Sequence, residues 1–81
     1  MTEAEKETLK KNFGKNVKAI RESRGLSLQE VADRCKLDES NISKIEHGKR
    51  DSSLTTMAEL AHGLGVTLAE LFKPALLWNT R

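Results

Sequence analysis

An all-α fold of five short helices is what this 81-residue sequence predicts. Three observations carry that reading. Apolar residues recur at three- and four-residue intervals along most of the chain, which is the period of one helix face. Residues that open helices (Ser27, Asp38, Ser53, Thr67) alternate with glycines that close them (Gly25, Gly48, Gly65). No stretch of strand length alternates apolar with polar residues.

The first helix is expected from about Glu3 to Arg24. Leu9, Phe13, Val17 and Ile20 recur at spacings of four, four and three and make one apolar stripe. Gly14 lies inside it and marks either a kink or the start of the packed part. Gly25 is the stop. The second helix opens at Ser27, where Ser27-Leu28-Gln29-Glu30 fits a capping box, and ends near Cys35. Its inner face is Leu28, Val31, Ala32 and Cys35. The third, over about 38–47, opens at Asp38 with acidic Glu39 in its first turn. Ile42 and Ile45 face inward and Gly48 closes it. The fourth starts at Ser53, with Leu54, Met57, Leu60, Ala61 and Leu64 expected inward, and stops at Gly65. Thr67-Leu68-Ala69-Glu70 forms a second capping box, opening a short fifth helix with Leu71 and Phe72 inward. Pro74 ends it.

A single domain over 1–81 is the natural count for this length. With 37% hydrophobic and 32% charged residues the chain is globular, not disordered. No apolar run approaches the ~20 residues of a membrane span. No signal-peptide pattern opens the sequence. A cytoplasmic protein is expected. Cys35 is the single cysteine, which excludes an internal disulfide and reads as a small packing residue. His47 and His62 have no companions at metal-ligand spacing and read as surface histidines, so no metal and no cofactor are expected. No nucleophile–base pairing, phosphate-cradling glycine loop or acid–base carboxylate pair is present, so the chain is not expected to be an enzyme.

Charge is distributed unevenly. Residues 1–13 carry three lysines and three glutamates, 14–50 carry nine basic and six acidic residues, and 51–81 carry two and three. The positive excess lies mid-chain, where a polyanion partner would bind. Two short helices joined by a turn of three to four residues, here 27–35 and 38–47, are the unit with which many proteins enter the DNA major groove.

The residues that fill this unit are distinctive. Gly25-Leu26-Ser27-Leu28-Gln29-Glu30-Val31-Ala32, Leu37-Asp38 and Asn41-Ile42-Ser43-Lys44-Ile45-Glu46-His47-Gly48-Lys49-Arg50 resemble the phage repressor and Cro-like (Xre-type) helix-turn-helix family. Met57-Ala58-Glu59-Leu60-Ala61 and Leu64-Gly65-Val66-Thr67-Leu68-Ala69-Glu70-Leu71-Phe72 do so as well. The resemblance covers about residues 13–73. It implies a compact five-helix, lambda-repressor-like DNA-binding domain that usually binds as a dimer. Two positions depart from the family pattern: Leu28 stands where glutamine often touches phosphate, with Gln29 next to it, and Lys36 stands in the turn where glycine is common. A left-handed Lys36 would cost roughly 1–2 kcal/mol.

With Ile42 and Ile45 inward, Ser40, Ser43 and Lys44 are the expected base readers, and Asn41 reads a base or a phosphate. Glu39 either accepts from a cytosine amino group or serves as a helix-start charge. Phosphate contacts are expected from Asn16, Gln29, Lys36, Lys49 and Arg50, the last two where the resemblance places backbone contacts. Lys15 and Lys18 either join them or solvate the first helix. By resemblance, Arg21 and Glu46 form a structural ion pair between the first and third helices; a phosphate contact is the other role open to Arg21. The tail of Leu76, Leu77 and Trp78 either folds back on its own core or, the preferred reading, forms a dimer interface.

The function these observations predict is sequence-specific binding of double-stranded DNA by a transcriptional regulator. A homodimer on a near-palindromic operator follows, with no small-molecule ligand and no membrane. A restriction–modification controller, a prophage repressor and an antitoxin are all compatible. The alternative is a protein-interaction module on the same fold, such as an antitoxin or a regulatory partner subunit.

Overall fold

A computed structural model describes residues 1–73. Every regular element among them is a helix: α1 (Glu3–Ser23), α2 (Leu28–Asp33), α3 (Glu39–Glu46), α4 (Leu54–Leu64) and α5 (Leu68–Leu71). The caps written in the sequence are largely used. Ser27 and Glu30 make the reciprocal capping box of α2, and the side chains of Asp38 and Ser53 accept from the third backbone amide of α3 and α4. Thr67 caps α5 by accepting from the Glu70 amide at 3.2 Å, which is the forward half of the expected box. A further box, Thr2 with Glu5, opens α1. Thr2 donates its N–H to Glu5 there and accepts from the Glu5 amide.

The three glycine stops share one geometry. Gly25, Gly48 and Gly65 have φ of 68°, 69° and 75°. Behind each, the next residue's N–H reaches back five residues, as Lys49 to the Lys44 carbonyl at 2.9 Å. This Schellman arrangement satisfies carbonyls that a helix end otherwise leaves open. Among the described residues no other residue type has positive φ, so Lys36 is not left-handed and the turn does not carry that cost. The turn is held by another device: the Lys36 N–H donates to Glu59 Oε1 of α4 at 3.0 Å.

The core gathers one or more residues from each helix: Phe13 and Val17, Val31, Ile42 and Ile45, Leu60 and Leu64, and Leu71. Leu28, Ala32, Cys35, Met57 and Phe72 pack against it while half-buried. Leu54 departs from expectation. It keeps the apolar spacing of α4, yet 64% of it is exposed, because the first turn of α4 projects past the core.

Gly14 is not a kink, since α1 runs unbroken through it; with Phe13 it stands at the start of the buried part of the helix. It is a contact point. A Cβ placed there would lie 2.3 Å from the Ile45 carbonyl oxygen and 2.5 Å from that of Glu46. The backbone of α3 therefore rests directly on α1. Gly63 serves α4 in a milder way, where a Cβ would meet the Val31 carbonyl oxygen at 3.0 Å and Cys35 Sγ at 3.2 Å.

Candidate nucleic-acid interface

The third helix divides into a held side and an open side. Ile42 and Ile45 are 0% and 1% exposed and fix its inward face. Glu39, Ser40 and Lys44 are consequently exposed, while Asn41 and Ser43 on the flanks are half-buried. Of the five expected base readers, three thus stand free on the open face, with Ser40 and Lys44 one turn apart.

Sequence reasoning passed over one residue of this face. His47 is exposed and follows Ser40, Ser43 and Lys44 by seven, four and three residues, so the helical register sets it in line with them. Its Nδ1 lies 2.7 Å from the Ser43 carbonyl oxygen. A carbonyl only accepts, so Nδ1 carries the proton and Nε2 is the free nitrogen. The spacing was the signal that would have found it.

At the other side of α3 sits Glu46, the one buried charged residue among those described, at 6% exposure. Arg21 of α1 grips it with both arms: Nε donates to Oε2 at 2.6 Å and Nη2 to Oε1 at 3.0 Å. The remaining Arg21 nitrogen donates to the Leu26 carbonyl at 2.9 Å, so the pair also ties down the α1–α2 connection. Hydrogen bonding to Glu46 raises the Arg21 pKa, with burial opposing it. The expected ion pair is therefore present and two-pronged, a geometry that lysine would not supply. It occupies the Arg21 guanidinium and leaves no role for that residue at a phosphate. It also neutralises an acid that would otherwise oppose a polyanion.

The expected phosphate contacts fall into two groups. Lys36, Lys49 and Arg50 are exposed, at the turn before α3 and the segment after it. Arg50 Nη1 donates to Asn41 Oδ1, which links a phosphate candidate to a base candidate and steers both. Gln29 is exposed on α2 and donates to Asp33 Oδ1 at 2.7 Å, one turn along the same helix. Asn16 does not fit the expectation. Its amide nitrogen donates to the Leu71 carbonyl and, at 3.4 Å, to that of Glu70. Both carbonyls belong to the end of α5, so Asn16 caps that helix from α1. What remains is its acceptor oxygen, which cannot bind a phosphate. Lys15 and Lys18 are exposed on α1. Lys11 abuts the far side of the interface: a Cβ on Gly48 would meet Lys11 Cα at 2.9 Å.

Among the described residues no three or more His, Cys, Asp or Glu side chains group as metal ligands. No helix there is long and apolar enough to cross a membrane. Leu76, Leu77 and Trp78, the expected dimer interface, lie outside the described residues.

Comparison with known proteins agrees with this geometry. The helix-turn-helix family HTH_3 matches residues 17–71. The control protein C.MunI of a Mycoplasma species is 42% identical over 65 residues, covering 79% of this chain and 88% of that protein. The HTH-type transcriptional regulator y4dJ of Sinorhizobium fredii is 35% identical over 66 residues, covering 82% and 86%. Among solved structures, the restriction-modification controller protein C.AhdI of Aeromonas hydrophila superposes with a TM-score of 0.73 at 34% identity, covering 76% of this chain and 94% of that one. The chain belongs to the helix-turn-helix family.

Proposed function

We propose that this member of the helix-turn-helix family is a regulator of transcription that reads double-stranded DNA with α3 and acts as a restriction–modification controller. The observation that carries the reading is the division of α3. One side is fixed to α1 by Gly14 and by the two-pronged Arg21–Glu46 pair. The other presents Glu39, Ser40 and Lys44 exposed, with basic Lys49 and Arg50 beside them. A short polar helix held firmly at its back and bare at its front suits insertion into the major groove, which admits one α-helix.

Within this reading, Ser40, Lys44 and Ser43 read base edges, Lys44 by donating to guanine acceptors. Asn41 joins them through its amide, oriented by Arg50. Glu39 reads cytosine or serves as a helix-start charge. Lys49, Arg50, Gln29 and Lys36 bind phosphate and set the register without reading sequence. A homodimer would place two such helices about 34 Å apart on a near-palindromic operator. The protein works in the cytoplasm, where that DNA is. The controller assignment draws support from a relative at 42% identity named a control protein and a solved structure at 34% identity of a restriction-modification controller protein.

Selection of binding sites from a random duplex library tests the reading. Enrichment of a two-fold symmetric site, with log affinity falling steeply with log salt, is the expected result. No enrichment, with only weak binding at low salt, would replace it with a protein-interaction module.

A further inference from the structure

Three lysines of α1 form a stripe beside the end of α3. Lys11, Lys15 and Lys18 stand at spacings of four and three, so they share one helical face, and all three are exposed. The buried residues fix where that face looks. Gly14 is the point on which α3 rests, with the Ile45 and Glu46 carbonyls against it. To one side of Gly14, α1 turns Phe13 and Val17 into the core that also takes Ile42 and Ile45 of α3. The lysines occupy the side away from that core. The open face of α3 is likewise the one turned away from Ile42 and Ile45, so stripe and open face look out on the same side of the domain. Lys11 is the joint between them. A Cβ on Gly48, which closes α3, would lie 2.8 Å from Lys11 Cγ and 2.9 Å from Lys11 Cα. Lys49 and Arg50 follow Gly48 at once.

The lysines of α1 are not alike. Lys6 pairs with Glu3 at 3.5 Å and Lys10 with Glu7 at 2.8 Å, both within the helix. Lys11, Lys15 and Lys18 make no ion pair among the described residues. Glu7, one turn before Lys11, is committed to Lys10: that hydrogen bond is the main cause of its lowered pKa, and Lys11 is the smallest. Glu22, one turn beyond Lys18, bounds the stripe at its other end. Between these acids stand three like charges at spacings where they repel one another. A polyanion laid along them would relieve that repulsion.

We propose that Lys11, Lys15 and Lys18 form a second phosphate-binding surface, on α1, which holds the DNA backbone alongside the half-site that α3 reads. The proposal rests on the reading of α3 as the helix in the major groove. Lys11 passes the backbone from the Lys49–Arg50 segment to α1. Phosphates carry no sequence information, so the stripe adds affinity and orientation and leaves base preference alone.

A chain carrying Lys11→Gln, Lys15→Gln and Lys18→Gln tests this beside the unaltered chain, on the duplex that the unaltered chain selects and on an unrelated duplex. Each phosphate neutralised contributes about 0.9 to the slope of log affinity against log salt. The triple variant is expected to lose about 2 to 3 of that slope per subunit, on both duplexes, while selecting the same sequence. Its thermal melt is expected not to fall. Lys6→Gln removes the same charge from a paired position of the same helix and is expected to leave the slope in place. An unaltered slope in the triple variant overturns the proposal while the reading of α3 stands. A loss in Lys6→Gln as large as that per charge in the triple variant also overturns it, since net charge would then be the cause. So does a changed preferred sequence, which would make the stripe a base reader. An unaltered chain that selects no duplex overturns the reading of α3, and the stripe with it.

Discussion

The two sides of α3 make an instructive comparison. They belong to the same eight residues, Glu39–Glu46, and share one set of backbone hydrogen bonds. The side toward α1 leaves almost no freedom: backbone carbonyls rest on Gly14, and a buried carboxylate is gripped twice by Arg21. The open side has Ser40 and Lys44, side chains with no intramolecular partner among the hydrogen bonds and ion pairs described. Where the chain must fix a helix it uses contact between backbones and a desolvated ion pair. Where it must meet a partner it uses short hydroxyls and a flexible ammonium.

The sharpest way to break the comparison is to cut the ion pair. Arg21→Ala leaves the Glu46 carboxylate buried and unpaired and is expected to cost about 3–5 kcal/mol. Thermal melts of Arg21→Ala and Glu46→Ala test it, and near-wild-type stability in both would refute a structural role for the pair. Next is Gly14→Ala. Its methyl would meet two carbonyl oxygens that cannot rotate aside, and a loss of about 1–3 kcal/mol is expected. For a domain of this size that lowers the melting temperature by at least about 4 °C, and an unchanged melt would remove Gly14 from the account.

The open side should respond in binding and not in stability. Lys44→Ala is expected to leave the melt in place and to reduce discrimination by about 1–3 kcal/mol at particular base pairs. Site selection with the variant reads this directly; an unaltered preferred site would take Lys44 out of the reading surface. Lys49→Ala is expected to weaken all sites alike and to reduce the salt slope by about 1. The smallest expected effect is that of pH on the cap of α2. The Ser27 amide and hydroxyl hold the Glu30 pKa below its ordinary value. The cap therefore contributes fully above the ordinary carboxylate range and is lost as pH falls through the lowered value. Glu30→Gln should show a shallower loss of stability between neutral and acid pH than the unaltered chain.

Most of the fold was legible because helix ends are written in single residues. Ser27, Asp38 and Ser53 act through their own side chains on amides three residues ahead, and the glycine stops require a backbone conformation that few other residues accept. The resemblance supplied the Arg21–Glu46 pair, a contact across 25 positions that no local rule could find. What stayed hidden was also non-local. Asn16 looks like any exposed amide until α5 brings its carbonyls alongside. Leu54 keeps the period of its helix, but periodicity does not say where the core ends. His47 was read as a surface histidine, which it is, but its spacing from Ser40 and Lys44 along the same face was not used.

The α1–α3 contact at Gly14 has one more consequence. The hydrogen that takes the place of a side chain there sets how deeply α3 sits, and so how far its outer face stands proud of the domain. In a two-fold pair any displacement at this contact is repeated in the partner, and the distance between the two reading faces changes by up to twice as much. A buried glycine that touches no DNA would thereby act as the ruler for half-site spacing.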